Sequence, residues 1–212
     1  DTTARAIFVP VTPAPSNALV RYVGKADATS SYTVNDTDVH TGWDGYEMTL
    51  TSQTWRTTAE VDRPLWEHDM VIAAPWFSGD NCLFLIDGGS NPLRHITPDE
   101  TMAVASIALG MKYMQIKQVP NQPLYFADEV NNARTEDEIL AYSMDKYLST
   151  QDDEWPVHCA MVKAAVKAMD ATQELFPTVD EFTVVGASKR GWTTWLLGAI
   201  DDRAKYLLPM VI

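Results

Sequence analysis

One segment, Val184-Val185-Gly186-Ala187-Ser188-Lys189-Arg190-Gly191-Trp192, restricts the fold more than any other. Its apolar start reads as a buried strand and its continuation as a helix. The turn between them carries a serine, with a glycine two positions before it. That is the layout of a nucleophile elbow, in which a serine stands on a tight strand-to-helix turn at the carboxyl edge of a sheet. Small residues are needed there, so that the two backbones can approach and leave the serine oxygen exposed. The N–H of Lys189, at the positive end of the helix dipole, then faces the place where an oxyanion would develop. A plain structural turn with a capping serine has the same order of elements, and Arg190 stands where the general elbow pattern has glycine.

The rest of the chain supplies a sheet for such a turn. Residues 1–30, punctuated by Pro10, Pro13 and Pro15, read as an extended arm, and residues 31–212 as one domain portion. Tyr46 to Leu50 alternates apolar and polar residues, the period of a half-buried strand. Met70 to Ala74 and Cys82 to Ile86 are continuous apolar runs suited to strands buried on both faces. Thr97, Pro98 and Glu100 suggest a helix capped by Thr97, followed by a strand from Tyr113 to Val119. Thr135 to Glu138 is a second capping-box signal. A long helix is predicted over 156–176, a strand at 182–185, a helix over 189–199 and a strand over 206–212. Strands alternating with helices imply an α/β fold, a mostly parallel sheet with helices on both faces.

Composition narrows the partners. With 16 basic and 29 acidic side chains the formal charge is −13, the wrong sign for nucleic acid or an anionic membrane surface. No apolar run reaches the ~20 residues that span a bilayer. The first residue is Asp1, so a signal peptide is read as already removed, and the sequon Asn35-Asp36-Thr37 is a candidate glycan acceptor. Both point to a secreted or extracellular protein, or a periplasmic one in a bacterium. Cys82 and Cys159 could form one disulfide there or remain two buried thiols. No histidine or cysteine spacing matches a metal site, and no cofactor motif is present.

An oxyanion hole on such a sheet needs a second N–H, from a glycine-bearing loop after an earlier strand. Asp87-Gly88-Gly89-Ser90 follows the apolar run 82–86 and makes Gly89 and Ser90 the candidate donors beside Lys189. Ser188 is the candidate nucleophile. His95 and Arg190 are candidates for binding an ester or peptide substrate or another small molecule. Trp192, Trp195, Leu196 and Ala199 fall at helical spacing and are expected in the core. One cation at 189–190 is expected to pair with Asp201 or Asp202, and the acidic run 135–138 to be a helix cap and solvated loop.

Several runs together resemble one family. They are Leu50-Thr51-Ser52-Gln53-Thr54-Trp55, Arg63-Pro64-Leu65-Trp66-Glu67-His68, Val119-Pro120-Asn121-Gln122-Pro123-Leu124, Glu136-Asp137-Glu138-Ile139-Leu140-Ala141-Tyr142, Ala168-Met169-Asp170 and Gly186 through Trp195. The chain after its arm is similar to the PhoPQ-activated pathogenicity-related family, whose members include a secreted autocrine proliferation repressor. The resemblance implies an α/β-hydrolase-like fold with Ser188 as nucleophile, and makes Ser-Lys-Arg-Gly that family's own form of the elbow.

A serine nucleophile needs a histidine oriented by a carboxylate, and on this fold both follow the serine in the chain. Here all four histidines, His40, His68, His95 and His158, precede Ser188. The expectation is therefore the N-terminal half of a larger hydrolase. Acid and base would come from polypeptide beyond residue 212 or from a second chain.

Overall fold

The computed structural model describes residues 5–6 and 17–212. Its strands are β1 (Arg5–Ala6), β2 (Ser31–His40), β3 (Trp43–Thr54), β4 (Leu65–Pro75), β5 (Asn81–Ile86), β6 (Lys112–Ile116), β7 (Leu124–Tyr125), β8 (Ala133–Arg134), β9 (Glu181–Ala187) and β10 (Ala204–Met210). Its helices are α1 (Ala18–Gly24), α2 (Glu100–Leu109), α3 (Glu136–Thr150), α4 (Val157–Leu175) and α5 (Lys189–Gly198). Eight strands form one sheet in the order β1-β2-β3-β4-β6-β5-β9-β10, and β7 pairs with β8 in a small ribbon.

The sheet is mixed. Pairings from β1 through β4 to β6 are antiparallel, and only β6-β5-β9-β10 run parallel. The expected mostly parallel sheet is thus confined to one half. The other half begins with β2, whose polar sequence hides it from a search for apolar alternation. The extended arm is also corrected in part. Asn17 caps α1, its side chain accepting from the Leu19 N–H at 2.9 Å, so residues 18–24 are helical. Pro10, Pro13 and Pro15 lie outside the described residues. The cap of α2 is Asp99, not Thr97, its carboxylate accepting from the Met102 N–H at 2.9 Å. An ionised carboxylate is the better partner for a helix start, and it displaces the threonine two residues earlier. Thr135 does cap α3, and the Glu138 carboxylate accepts from its N–H at 3.1 Å.

Register assigns the faces. Met70, Ile72, Met114, Phe84, Phe182 and Val184 point to one side, into the main core with α4. There α4 is buried almost all round, between the sheet, α1, α3 and α5. Val71, Ala73 and Tyr113 point to the other side, where Met102 and Ala103 of α2 cover them. On that same side Leu83, Leu85 and Val185 are only half-buried and Leu208 is 48% exposed. Of the two alternatives for Cys82 and Cys159 the structure shows two buried free thiols and not a disulfide, and burial raises them to about 12 and about 11.

Candidate active site

Parallel register places two loops side by side. Ile86 of β5 pairs with Gly186 of β9, so Gly88 and Ser188, each two residues further on, leave the same carboxyl edge on adjacent strands. Ser188 has φ 56° and ψ −123° and is exposed. A non-glycine residue in that region is held against its own preference by the surrounding structure. The holding is visible. A Cβ on Gly186 would lie 2.6 Å from the Arg190 carbonyl carbon, and one on Gly191 2.8 Å from the Met210 carbonyl oxygen. Only glycine fits at either position. The Ser188 N–H donates to the Met210 carbonyl at 2.8 Å, and the Trp192 N–H donates to the Ser188 carbonyl at 3.1 Å to close the first turn of α5. The N–H groups of the residues between them have no carbonyl one turn earlier to bond, so the Lys189 N–H stands at a helix start.

In the facing loop the Gly88 N–H donates to its neighbour Asp87 at 2.7 Å. The donors this loop can offer an oxyanion are therefore those of Gly89, whose φ is +120°, and Ser90. Gly89 and Lys189 thus flank the exposed serine from two strands.

The cations next to the serine are held by the acidic start of α3. Arg190 is 8% exposed; its Nε donates to the Val119 carbonyl at 2.5 Å and its two terminal nitrogens donate to Glu136 at 2.8 and 2.5 Å. Lys189 lies 2.9 Å from Asp137 and 3.4 Å from Glu136. Neither takes Asp201, which pairs with Arg203 at 2.7 Å. The acidic start of α3 is therefore an anchor for α5 as well as a cap. Burial alone would raise the Glu136 carboxyl, but Arg190, Gln122 and Lys189 outweigh it and hold the group below the usual carboxylate range.

The histidines are engaged elsewhere. His68 is fully buried; its Nδ1 lies 2.9 Å from the Lys117 carbonyl, so that nitrogen carries the proton and Nε2 accepts from the Ser52 hydroxyl at 2.9 Å. Burial lowers it to about 4. His158 packs on Trp192 with ring centroids 4.0 Å apart and is likewise lowered to about 4 by burial. His40 stacks on Trp43. His95 lies 3.3 Å from Glu47 of β3, with β4, β6 and β5 between that strand and the elbow strand. Asn35 sits in a bulge of β2, where its amide donates to Thr49 at 2.9 Å. Trp192 and Trp195, expected in the core, are 50% and 56% exposed. The stripe of α5 that meets the sheet is instead Gly191, Thr194 and Leu197, since the elbow leaves no room there for indole rings.

Sequence reasoning missed Glu136, Gln122 and Asp69. Asp69 is buried and accepts from the Gln118 side chain at 2.7 Å and from the Arg94 and His95 N–H groups at 2.9 and 3.0 Å, which fixes the loop after Gly89. Among the described residues no group of three or more metal-ligating side chains is present, and no helix is long and apolar enough to cross a membrane.

Comparison with known proteins places this architecture. The family described as PhoPQ-activated pathogenicity-related protein matches residues 19–212. Autocrine proliferation repressor protein A of Dictyostelium discoideum is 36% identical over 205 residues, covering 93% of this chain and 41% of that relative. The chain thus spans less than half of the relative's length. Acetyl xylan esterase 1 of a Thermoanaerobacterium species aligns with a TM-score of 0.58 at 12% identity, over 92% of this chain and 57% of the esterase. An acetyl xylan esterase of Paenibacillus sp. R4 aligns with a TM-score of 0.57 at 12% identity, over 97% and 62%. These likenesses establish an α/β-hydrolase-like fold built on the mixed sheet.

Proposed function

The chain belongs to the PhoPQ-activated pathogenicity-related family, and we propose that it carries the nucleophile of a secreted serine hydrolase that cleaves an ester or amide through an acyl-Ser188 intermediate. The Ser188 oxygen attacks the substrate carbonyl and passes its proton to a histidine. The N–H groups of Lys189 and of Gly89 or Ser90 receive the oxyanion, the histidine protonates the leaving alcohol or amine, and water releases the acyl group. Among the described residues no histidine hydrogen-bonds Ser188: His68, His40 and His95 have other partners and His158 packs on Trp192, so in this reading acid and base come from polypeptide outside these 212 residues. That polypeptide is either a continuation of the chain or a second chain carrying the remaining strands.

The observation that carries the reading is the backbone of Ser188, exposed at φ 56° and ψ −123° between two glycines that admit no side chain. Covalent labelling by a fluorophosphonate, lost in Ser188→Ala, is the expected result. An unlabelled full-length protein that is otherwise folded overturns the reading.

A second reading is a secreted signalling protein that keeps the scaffold without turnover. It is favoured by the engaged histidines and by the name of the Dictyostelium relative, a proliferation repressor. It requires Ser188→Ala to leave biological activity unchanged. Native mass separates the sources of acid and base: a full-length protein that runs as a single chain speaks against a second chain. Occupancy of Asn35 by a glycan, read by mass spectrometry, tests passage through a secretory pathway.

A further inference from the structure

We propose that Arg190 is a positioning residue whose guanidinium fixes the Gly88–Ser90 loop relative to Ser188, so that one side chain sets the spacing of the two halves of the oxyanion hole. The inference rests on the reading of Ser188 as nucleophile, but its structural part stands on geometry alone.

Three segments meet at this guanidinium. Nε bonds the Val119 carbonyl, and the two terminal nitrogens form a fork on Glu136. Glu136 is itself held, accepting from the Gln122 amide at 2.9 Å while its own N–H donates to the Gln122 side chain at 2.8 Å. Its φ of 48° is a conformation that a glutamate keeps only when its surroundings impose it. The Val119 segment in turn carries the glycine loop: the Gln118 N–H donates to the Gly88 carbonyl at 3.1 Å and the Val119 N–H to the Asp87 carbonyl at 3.2 Å. The guanidinium also lies against Gly88, where a Cβ would fall 2.8 Å from Cζ. Arg190 is two residues after Ser188 on the first turn of α5. The turn that presents the serine therefore also grips the loop that faces it.

Gly88 shows that the contact is specific. Its φ lies outside the left-handed range, so its backbone would accept alanine, and the atoms that forbid a side chain there all belong to Arg190. The fork explains the choice of arginine, since a lysine cannot bond two carboxylate oxygens in one plane while also reaching a backbone carbonyl.

The test compares Arg190→Lys, Arg190→Gln, Glu136→Gln and Gly88→Ala in the full-length protein, each checked for cooperative unfolding. Amide hydrogen exchange at residues 87–90 is measured alongside labelling and aryl-ester turnover. Exchange at 87–90 is expected to rise at least 10-fold in the Arg190 and Glu136 variants while the core of α4 stays protected. Turnover should fall through kcat by about 10- to 100-fold with KM little changed, the mark of a misplaced transition-state donor. Gly88→Ala combined with Arg190→Gln should lower the melting temperature by less than the sum of the two changes, because the clash vanishes with the guanidinium. Unchanged exchange at 87–90 in both Arg190 variants, or additive melting shifts, overturns the proposal. Wild-type protein that is never labelled, with exchange still rising in the variants, defeats the hydrolase reading and leaves the clamp standing.

Discussion

The two ends of the main sheet are built on opposite plans. At the β2 end, β1 pairs with residues 31–32, residues 36–40 are exposed and set Asp36, Thr37, Asp38 and His40 around Val39, and a bulge at Asn35 breaks the ladder. Charge and a bulge on an edge discourage further strands from adding. At the β10 end, Tyr206, Leu208 and Met210 are 58%, 48% and 43% exposed, and the sheet face beside them is only partly covered. Helix α2, which borders that face, exposes Val104 and Ile107 as well. The first end is mostly polar, whereas the second presents the kind of surface that proteins normally bury. The candidate nucleophile stands at the second end. The main core runs through both halves, but the exposed apolar edge and the candidate nucleophile share one end.

The largest test of that division is Trp66→Ala. Trp66 is fully buried against Trp55 in an aromatic cluster with Phe126, Tyr142 and Trp155, and its loss is expected to cost about 3–5 kcal/mol in urea unfolding. A loss no greater than that of an exposed β10 residue would erase the contrast.

Next comes acid. Each half holds one buried histidine, His68 on β4 and His158 beside Trp192, and burial depresses both to about 4. The unfolded chain takes up a proton near 6.5, while the folded ring stays neutral. This stability is therefore complete above about pH 6.5 and is lost as pH falls towards 4, by roughly 3 kcal/mol for each ring. Among the described residues the buried Nε2 of His158 has no hydrogen-bond partner, so His158→Phe gives up little at pH 7. It should flatten the acid limb by about 1.4 kcal/mol per pH unit, read from denaturation midpoints between pH 4 and 6.5. An unchanged limb would mean that this ring is charged in the fold.

The smallest effect on stability is expected at Leu208. Leu208→Glu should stay within about 0.5 kcal/mol of the parent while it lowers binding of an apolar dye and concentration-dependent association. A cost approaching that of Trp66→Ala would show a covered face.

Much of the parallel half was legible because its signals are local. The runs at 82–86 and 182–185, the long helix ending before Pro177 and the elbow each declare themselves within ten residues or so. Ser188 and the Gly88-Gly89 loop were found by order in the chain, and the sheet then set them side by side. What stayed hidden depends on distance or orientation. Helical spacing put Trp192 and Trp195 on one stripe but could not say which stripe meets the sheet; that is decided by the close approach of Gly191 to Met210. The pairing of Arg190 with Glu136 joins residues 54 apart, so the acidic run looked like a cap and nothing more. A signal was present all the same. The runs at 119–124, 136–142 and 186–195 that carried the family resemblance converge on that one guanidinium.

One contact at the elbow reaches further than its size suggests. The Ser188 N–H ends on the Met210 carbonyl, and the same oxygen closes the space beside Gly191. β10 is clamped to β9 along one side, and its Met210 carbonyl holds the turn on which Ser188 stands. The candidate nucleophile is therefore tied by main-chain atoms to the outermost described strand at the rim of the sheet.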